Sequence, residues 1–384
     1  MSGSRDVAAL PRFIALFAVM YAAFGVASPF LPAFLGTRGL SPDEIGVVLA
    51  ASTAIRLISG PSAGRLADWL AALRAVLAVC CVLAAIAAVA YLPAPSFWFL
   101  LVVGLAHAAA LAPITTLADA LALTAAHRTG FEYGWVRGAG SGAFIVGSIV
   151  AGQAVAAAGL GAIVWLQASL LVVAAGCAML VAEPTARSQL NPQRGRSAGV
   201  GALLRLRPFR RVVLVAALVL GSHAMHDSFA VIRWSAAGID PGTASVLWSE
   251  AVAAEVVVFL LIGPALVARL GPAGAVMLAA AAGVLRWVVM ANSAEVTVMA
   301  LVQPLHGLTF ALLHLACMRL IGAMVPPGLA ATAQAIYGTL GIGAATALMT
   351  LASGFLYSRF GAAGFYLMAL LCAAGIPLAF GLRR

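Results

Sequence analysis

Glu255, Arg286 and His306 are ionisable side chains set inside long runs of apolar residues, where a charge has no ready access to water. Placing a charge at the centre of a membrane helix costs about 2.5–3.5 kcal/mol, so each such residue is a functional candidate in its own right. A carboxylate and a guanidinium that pair in a low-dielectric cavity respond strongly to protonation. Neutralising Glu255 would free Arg286 to attract an anion, which is the outline of proton-coupled symport. A structural salt bridge that fixes helix packing is the bland reading of the same pair. His306 and Gln303 are three residues apart, share a helix face, and could bind a carboxylate or relay a proton near neutral pH.

Other polar groups recur in the same kind of setting. His223, His226 and Asp227 stand at i, i+3 and i+4 and would line one face of a helix; a metal site there lacks a clear fourth ligand, and a polar cavity wall is the simpler reading. Arg56, Trp248 and His314 complete the polar and aromatic candidates for a cavity. Trp248 is suited to stack on a ring-bearing substrate or to anchor at the membrane interface. Tyr21, Phe24 and Ser28, with Pro29 and Pro32, recur at helical spacing in a pattern suited to a bendable, cavity-facing helix. Asp119 and Arg137 form a possible pair toward the cytoplasmic end, able to close an inner gate or to touch substrate.

The elements that must hold these residues follow from hydropathy. The chain has 384 residues, 64% apolar and 9% charged, against about 45–50% and 25% in soluble proteins. Apolar runs of about 20 residues exclude a transmembrane barrel, whose strands alternate apolar and polar positions. Spans are expected near residues 11–36, 45–66, 73–92, 96–120, 132–158 and 160–182. After a polar, Arg-rich and Pro-containing linker over 183–211, six more are expected near 212–232, 243–268, 273–291, 296–320, 330–356 and 362–382. The expected fold is an all-α membrane protein of twelve transmembrane helices in two six-helix bundles, residues 1–182 and 212–384. The amino terminus reads as the first span rather than a cleaved signal, because its apolar run is too long for a signal core.

All 22 basic residues are Arg, and with 12 carboxylates they give a net charge of +10. The spans cut them into loop clusters, so nucleic acid is not an expected partner. With both ends cytoplasmic, fifteen arginines lie inside (Arg5, Arg12, Arg65, Arg74, Arg128, the seven of the linker, Arg269, Arg383 and Arg384) and three outside (Arg38, Arg233 and Arg359). That asymmetry favours an inner-membrane protein with an even number of crossings. The five cysteines all lie in apolar stretches without metal-ligand spacing, and no metal or cofactor is expected.

The halves echo each other. Gly60-Pro61 through Arg65-Leu66 closes span two as Gly263-Pro264 through Arg269-Leu270 closes span eight; Leu40-Ser41-Pro42-Asp43 and Ile239-Asp240-Pro241-Gly242 open them with a capping residue and a proline. Repeated halves place a substrate site between them near mid-membrane. Gly134, Gly138 and Gly142 favour close helix packing.

These residues resemble the major facilitator superfamily over essentially the whole chain. Gly64-Arg65-Leu66-Ala67-Asp68, with Arg74, is similar to its signature loop between the second and third helices, although Trp69 and Leu70 depart from the usual continuation. The resemblance implies gating or structural roles for Gly64, Asp68, Arg74 and Arg269. Tyr133-Gly134-Trp135-Val136-Arg137, Trp248 with Glu255 and Phe259, Gly283 to Trp287, and Leu305 to Phe310 with His314 resemble the phenylpropionate permease branch, near the lactose permease. That branch implies proton-coupled uptake of a small organic acid or related solute across the bilayer; a monomer is the default expectation. Where the lactose permease has a carboxylate one turn after a histidine, Thr309 stands here, so Glu255 takes that role or coupling is absent. Competing readings are a proton-driven efflux antiporter for small hydrophobic compounds, a membrane-embedded metal enzyme, and a sensor that does not transport. No nucleophile elbow, HExxH helix, Walker loop or dinucleotide fingerprint supports an enzyme.

Overall fold

The computed structural model describes residues 9–93, 96–183 and 199–382, and throughout these it is helical, with no strand. The linker residues Arg187, Arg194 and Arg196 and the terminal Arg5, Arg383 and Arg384 lie outside the described residues. The first helices are α1 (Ala9–Ala27), α2 (Leu31–Thr37), α3 (Pro42–Leu70), α4 (Leu73–Val89), α5 (Phe97–Thr129), α6 (Tyr133–Ala158) and α7 (Ala162–Leu180). They are followed by α8 (Gly199–Arg205), α9 (Arg207–Gly221), α10 (Ala224–Ala236), α11 (Pro241–Val257) and α12 (Gly263–Asn292). The last are α13 (Val296–Val302), α14 (Leu305–Gly307), α15 (Leu313–Met324), α16 (Ala330–Ile336), α17 (Ala345–Phe360) and α18 (Phe365–Phe380).

Nine described helical stretches are long and apolar enough to cross a membrane. Two of them, Pro241–Asn292 and Ala330–Phe380, run to 52 and 51 residues, more than twice the length one crossing needs. Each is broken at a glycine with positive φ, Gly271 at 70° and Gly361 at 53°, where a side chain would strain the backbone. Pro272, next to Gly271, reinforces the first break.

Local chemistry starts two of the helices as their sequences lead one to expect. At α3 the Ser41 hydroxyl accepts from Glu44 N at 3.3 Å while the Glu44 carboxylate accepts from Ser41 N at 2.8 Å, a reciprocal cap. At α11 the Asp240 carboxylate accepts from the Thr243 hydroxyl at 2.6 Å and from Thr243 N at 3.0 Å, and these bonds hold its carboxyl below the usual range. The first span is not continuous: α1 stops at Ala27, and a turn carries Ser28 and Pro29 before α2 begins.

By its contacts the chain forms two compact units, Met1–Phe34 with Ala54–Pro192, and Leu35–Thr53 with Gln193–Arg384. This grouping differs from the division read from sequence over residues 35–53. The reason lies in the second unit: a Cβ at Gly46 would stand 2.8 Å from the Cα of Gly354, so α3 and α17 meet backbone to backbone. Nearby, Arg359 and Asp43 approach to 3.5 Å. The first unit is centred on Phe13, Phe17, Met20, Leu77, Leu117 and Leu171, all buried. In the second, Trp234, Trp287, Phe209, Phe229 and Phe365 are fully enclosed. All five cysteines are free thiols.

Candidate functional site

Arg286, on α12, is fully buried and forms the centre of a branched network in the second unit. Its Nη1 donates to Nδ1 of His306 at 3.0 Å, and Nη2 donates to Oε1 of Gln303 at 3.1 Å. The guanidinium also lies 4.6 Å from the ring centroid of Trp287, a cation–π contact. Both branches end on a carboxylate. On one, Nε2 of His306 stands 3.5 Å from Oε2 of Glu255. On the other, the Gln303 amide donates to Nε2 of His226 at 3.1 Å, and Nδ1 of His226 meets Oδ1 of Asp227 at 3.1 Å.

Valence fixes the hydrogen positions along both branches. A guanidinium only donates, so the Nδ1 of His306 that faces it is an acceptor and its proton sits on Nε2, toward Glu255. By the same logic His226 accepts from Gln303 and carries its proton on Nδ1, toward Asp227. Every bond therefore runs outward from Arg286 to a carboxylate. Glu255 and Asp227 are 29% and 53% exposed where Arg286 is sealed, so the network is dry at its centre and open at its two acidic ends.

Packing explains why these residues meet. The helix at Gly307 presses against α11: a Cβ on Gly307 would stand 2.6 Å from the carbonyl oxygen of Ala254, the neighbour of Glu255. The π-helical turns Val258–Ile262 and Leu308–Leu312 follow directly after Glu255 and His306 on the two elements, and such turns recur at functional sites. Gly307→Val is expected to overpack this contact at about 1–3 kcal/mol, separating His306 from Glu255 and removing transport from a protein that still melts cooperatively. Transport by Gly307→Val at the parental rate would show that the approach of these elements is dispensable.

His223 stands where α9 passes into α10, and its carbonyl accepts from Asp227 N at 2.9 Å, so the helical spacing of His223, His226 and Asp227 is kept. Its Nδ1 lies 3.1 Å from the Val219 carbonyl, which can only accept, so Nε2 accepts the Thr309 hydroxyl at 2.9 Å. Thr309, which stands where a carboxylate was sought, thus tethers the turn at His223. Trp248 is 7% exposed and lies flat on His226, with ring centroids 5.0 Å apart, so the face turned to His226 is not free to stack on a substrate. His314 meets the Tyr337 hydroxyl at 3.3 Å and has no direct hydrogen bond to Arg286 among the described contacts.

Residues 12–368 match the MFS_1 like family. The chain belongs to that family. A probable 3-phenylpropionic acid transporter of Escherichia coli is 32% identical over 94% of both chains. A maltose permease of Geobacillus stearothermophilus is 26% identical over 92% of this chain and 89% of its own. Among solved structures, the nucleoside transporter NupG matches with a TM-score of 0.80 at 18% identity, over 97% of this chain and 98% of that one. This MFS_1 like chain is accordingly a multi-pass membrane transporter of the major facilitator superfamily and not an enzyme.

The first unit of this MFS_1 like protein carries a smaller polar cluster. Arg137 lies 3.7 Å from Asp119 and also bonds the Tyr21 hydroxyl, while Tyr133 donates to Asp119 at 2.7 Å. Tyr21 packs edge-on against Phe24 at 5.6 Å, and Ser28 is exposed in the turn after α1. Of the residues likened to the signature loop, Arg74 pairs with Glu183 at 3.3 Å, while Gly64 has open space around it and Asp68 is exposed. Arg269 is exposed as well. The sequence reading missed Glu183, which reaches across from the end of α7 to accept from Leu73 N at 2.7 Å and start α4. It named Trp287 only within the Gly283 to Trp287 resemblance and gave it no role; its indole donates to Ser222 at 2.8 Å beside the turn that bears His223.

Proposed function

We propose that this transporter takes up a small aromatic organic acid with a proton across a bacterial inner membrane. The observation that carries the reading is the branched network in the second unit, one guanidinium facing two carboxylates through neutral hydrogen-bonding groups. One positive charge cannot balance two negative ones, and a single proton on either carboxyl restores neutrality in a region where net charge is costly. Glu255 is the proton acceptor of choice, with His306 as the link that reports its state to Arg286. The 3-phenylpropionic acid relative, at 32% identity, supports the substrate class. An anionic cargo and a proton crossing together move no net charge.

In this reading the halves 1–182 and 212–384, joined by the 183–211 linker, are the two parts of an alternating-access transporter. The nine stretches give twelve crossings once the two broken ones count double and the 17-residue Leu73–Val89 is added. Both termini are then cytoplasmic, and a monomer suffices. Proteoliposomes with an alkaline lumen are expected to accumulate 3-phenylpropionate above the external concentration. Glu255→Gln is expected to abolish this gradient stimulation and to retain exchange of labelled for unlabelled substrate. Gradient-driven accumulation by Glu255→Gln at the parental level would remove Glu255 from the coupling, and extrusion in place of uptake would reverse the direction.

A further inference from the structure

The second unit carries a concentration of positive charge that the transport chemistry leaves unused. Arg205, Arg207, Arg210 and Arg211 crowd into residues 205–211, and residues 184–226 contain no Asp or Glu to offset them. The ion pairs made by arginines among the described residues involve Arg74, Arg137 and Arg359, and none of these four. Arg205, Arg207 and Arg210 are exposed. Arg211 is half-buried, and its Nη1 donates to the carbonyl oxygen of Gly381 at 2.6 Å, just past the end of α18.

Helical spacing gathers three of these guanidinium groups with one apolar side chain. Residues 207, 210, 211 and 214 fall on one face of α9 by its 3.6-residue period, while Phe209, Val212 and Val213 on the opposite face are buried. Arg207, Arg210, Arg211 and Leu214 together line an open pocket of about 430 Å³. Beyond it the same face continues through the exposed Leu214 to the half-buried Ala217 and Leu218. The stretch Arg207–Ala236 is long and apolar enough to cross a membrane, so the arginines occupy its end and Leu214 the next turns inward. Arginines that served only to orient the chain in the bilayer would need to lie in a loop, with no common face and no shared pocket.

We propose that this pocket binds the headgroup of an anionic phospholipid. Arg207 and Arg210 take the phosphodiester oxygens, Arg211 forms the wall that Gly381 holds in place, and an acyl chain runs along Leu214. A guanidinium offers a phosphate two parallel hydrogen bonds, and basic pockets at the membrane surface are suited to acidic headgroups. Free phosphate would use the arginines and leave Leu214 without a role, whereas a lipid uses both. The lipid sits beside the contact of Arg211 with the end of α18, apart from the network around Arg286.

The test uses purified full-length protein in a neutral detergent, titrated with phosphatidylglycerol, phosphatidylcholine or inorganic phosphate and followed by native mass spectrometry and thermal shift. Each basic residue near an anionic surface strengthens binding about fivefold, so the wild type is expected to hold phosphatidylglycerol about tenfold or more tighter than phosphatidylcholine. Arg207→Gln with Arg210→Gln in one chain should weaken phosphatidylglycerol about 25-fold, two such factors, and leave phosphatidylcholine unchanged. Arg65→Gln with Arg128→Gln removes the same charge from exposed positions on α3 and α5 and should stay close to the wild type. A wild type that holds the two lipids equally overturns the proposal without any variant. An α9 double variant with undiminished phosphatidylglycerol binding overturns it as well, and so does an equal loss in both double variants, which would make net charge the cause. Inorganic phosphate that displaces phosphatidylglycerol at equal concentration overturns the lipid in favour of a soluble anion. The melting temperature of each variant without lipid shows that it is folded.

Discussion

Arg286→Gln is expected to reduce gradient-driven uptake by at least 100-fold and to lower thermal stability as well. The guanidinium donates simultaneously to Nδ1 of His306 and Oε1 of Gln303 from a fully buried position. Its removal leaves the buried Oε1 of Gln303 without its donor, at about 1–3 kcal/mol, and the part-buried Nδ1 of His306 without its own. It also cuts the link between the branches, so His306 can flip its tautomer and Gln303 its amide without penalty. Arg286→Lys keeps the charge and loses the planar fork, because one ammonium on a flexible stem cannot hold both acceptors in their observed geometry. Lys is thus expected to recover part of the melting temperature and little of the transport. Uptake in proteoliposomes beside a melting curve separates the two effects. If Arg286→Lys accumulates substrate like the wild type, charge alone matters and the fork has no role.

The parts of this site legible in the sequence are those whose signal is carried by one residue in its own surroundings. Arg286, His306 and Glu255 stand out because an ionisable group amid apolar neighbours is conspicuous without knowledge of the fold, and the structure sets the three in one network. The three-residue spacing of Gln303 and His306 correctly gives a shared face, since both bond Arg286. Capping at Ser41 and Asp240 was legible for the same reason, as the partners lie within three residues. What was hidden depends on approach between distant segments. Trp248 reads as a free aromatic until His226, 22 positions before it in the chain, is found stacked upon it. Glu183 looks like ordinary linker polarity, yet it caps a helix 110 residues earlier in the chain. The closeness of Glu255 and His306 depends on Gly307, and a lone glycine within an apolar span does not announce what packs against it.

The second large effect is expected at Asp227, and charge counting gives its sign. With both carboxylates present the network around Arg286 is one negative charge in excess, so taking up a proton makes it neutral. In Asp227→Asn the guanidinium is already matched by Glu255, and a proton arriving at Glu255 would leave an uncompensated buried cation. Proton uptake should then require a more acidic medium, by about one pH unit or more, the scale on which a neighbouring charge acts on a carboxyl group. Uptake by Asp227→Asn, measured in vesicles clamped at a series of external pH values, is expected to keep its maximal rate and to reach it at lower pH. Glu255→Gln with Asp227→Asn in one chain leaves Arg286 with no counter-charge and should lose at least 100-fold in rate, more than either change alone. If the pH profile of Asp227→Asn superimposes on that of the wild type, Asp227 does not share a charge balance with Glu255, and the two branches of the network act independently.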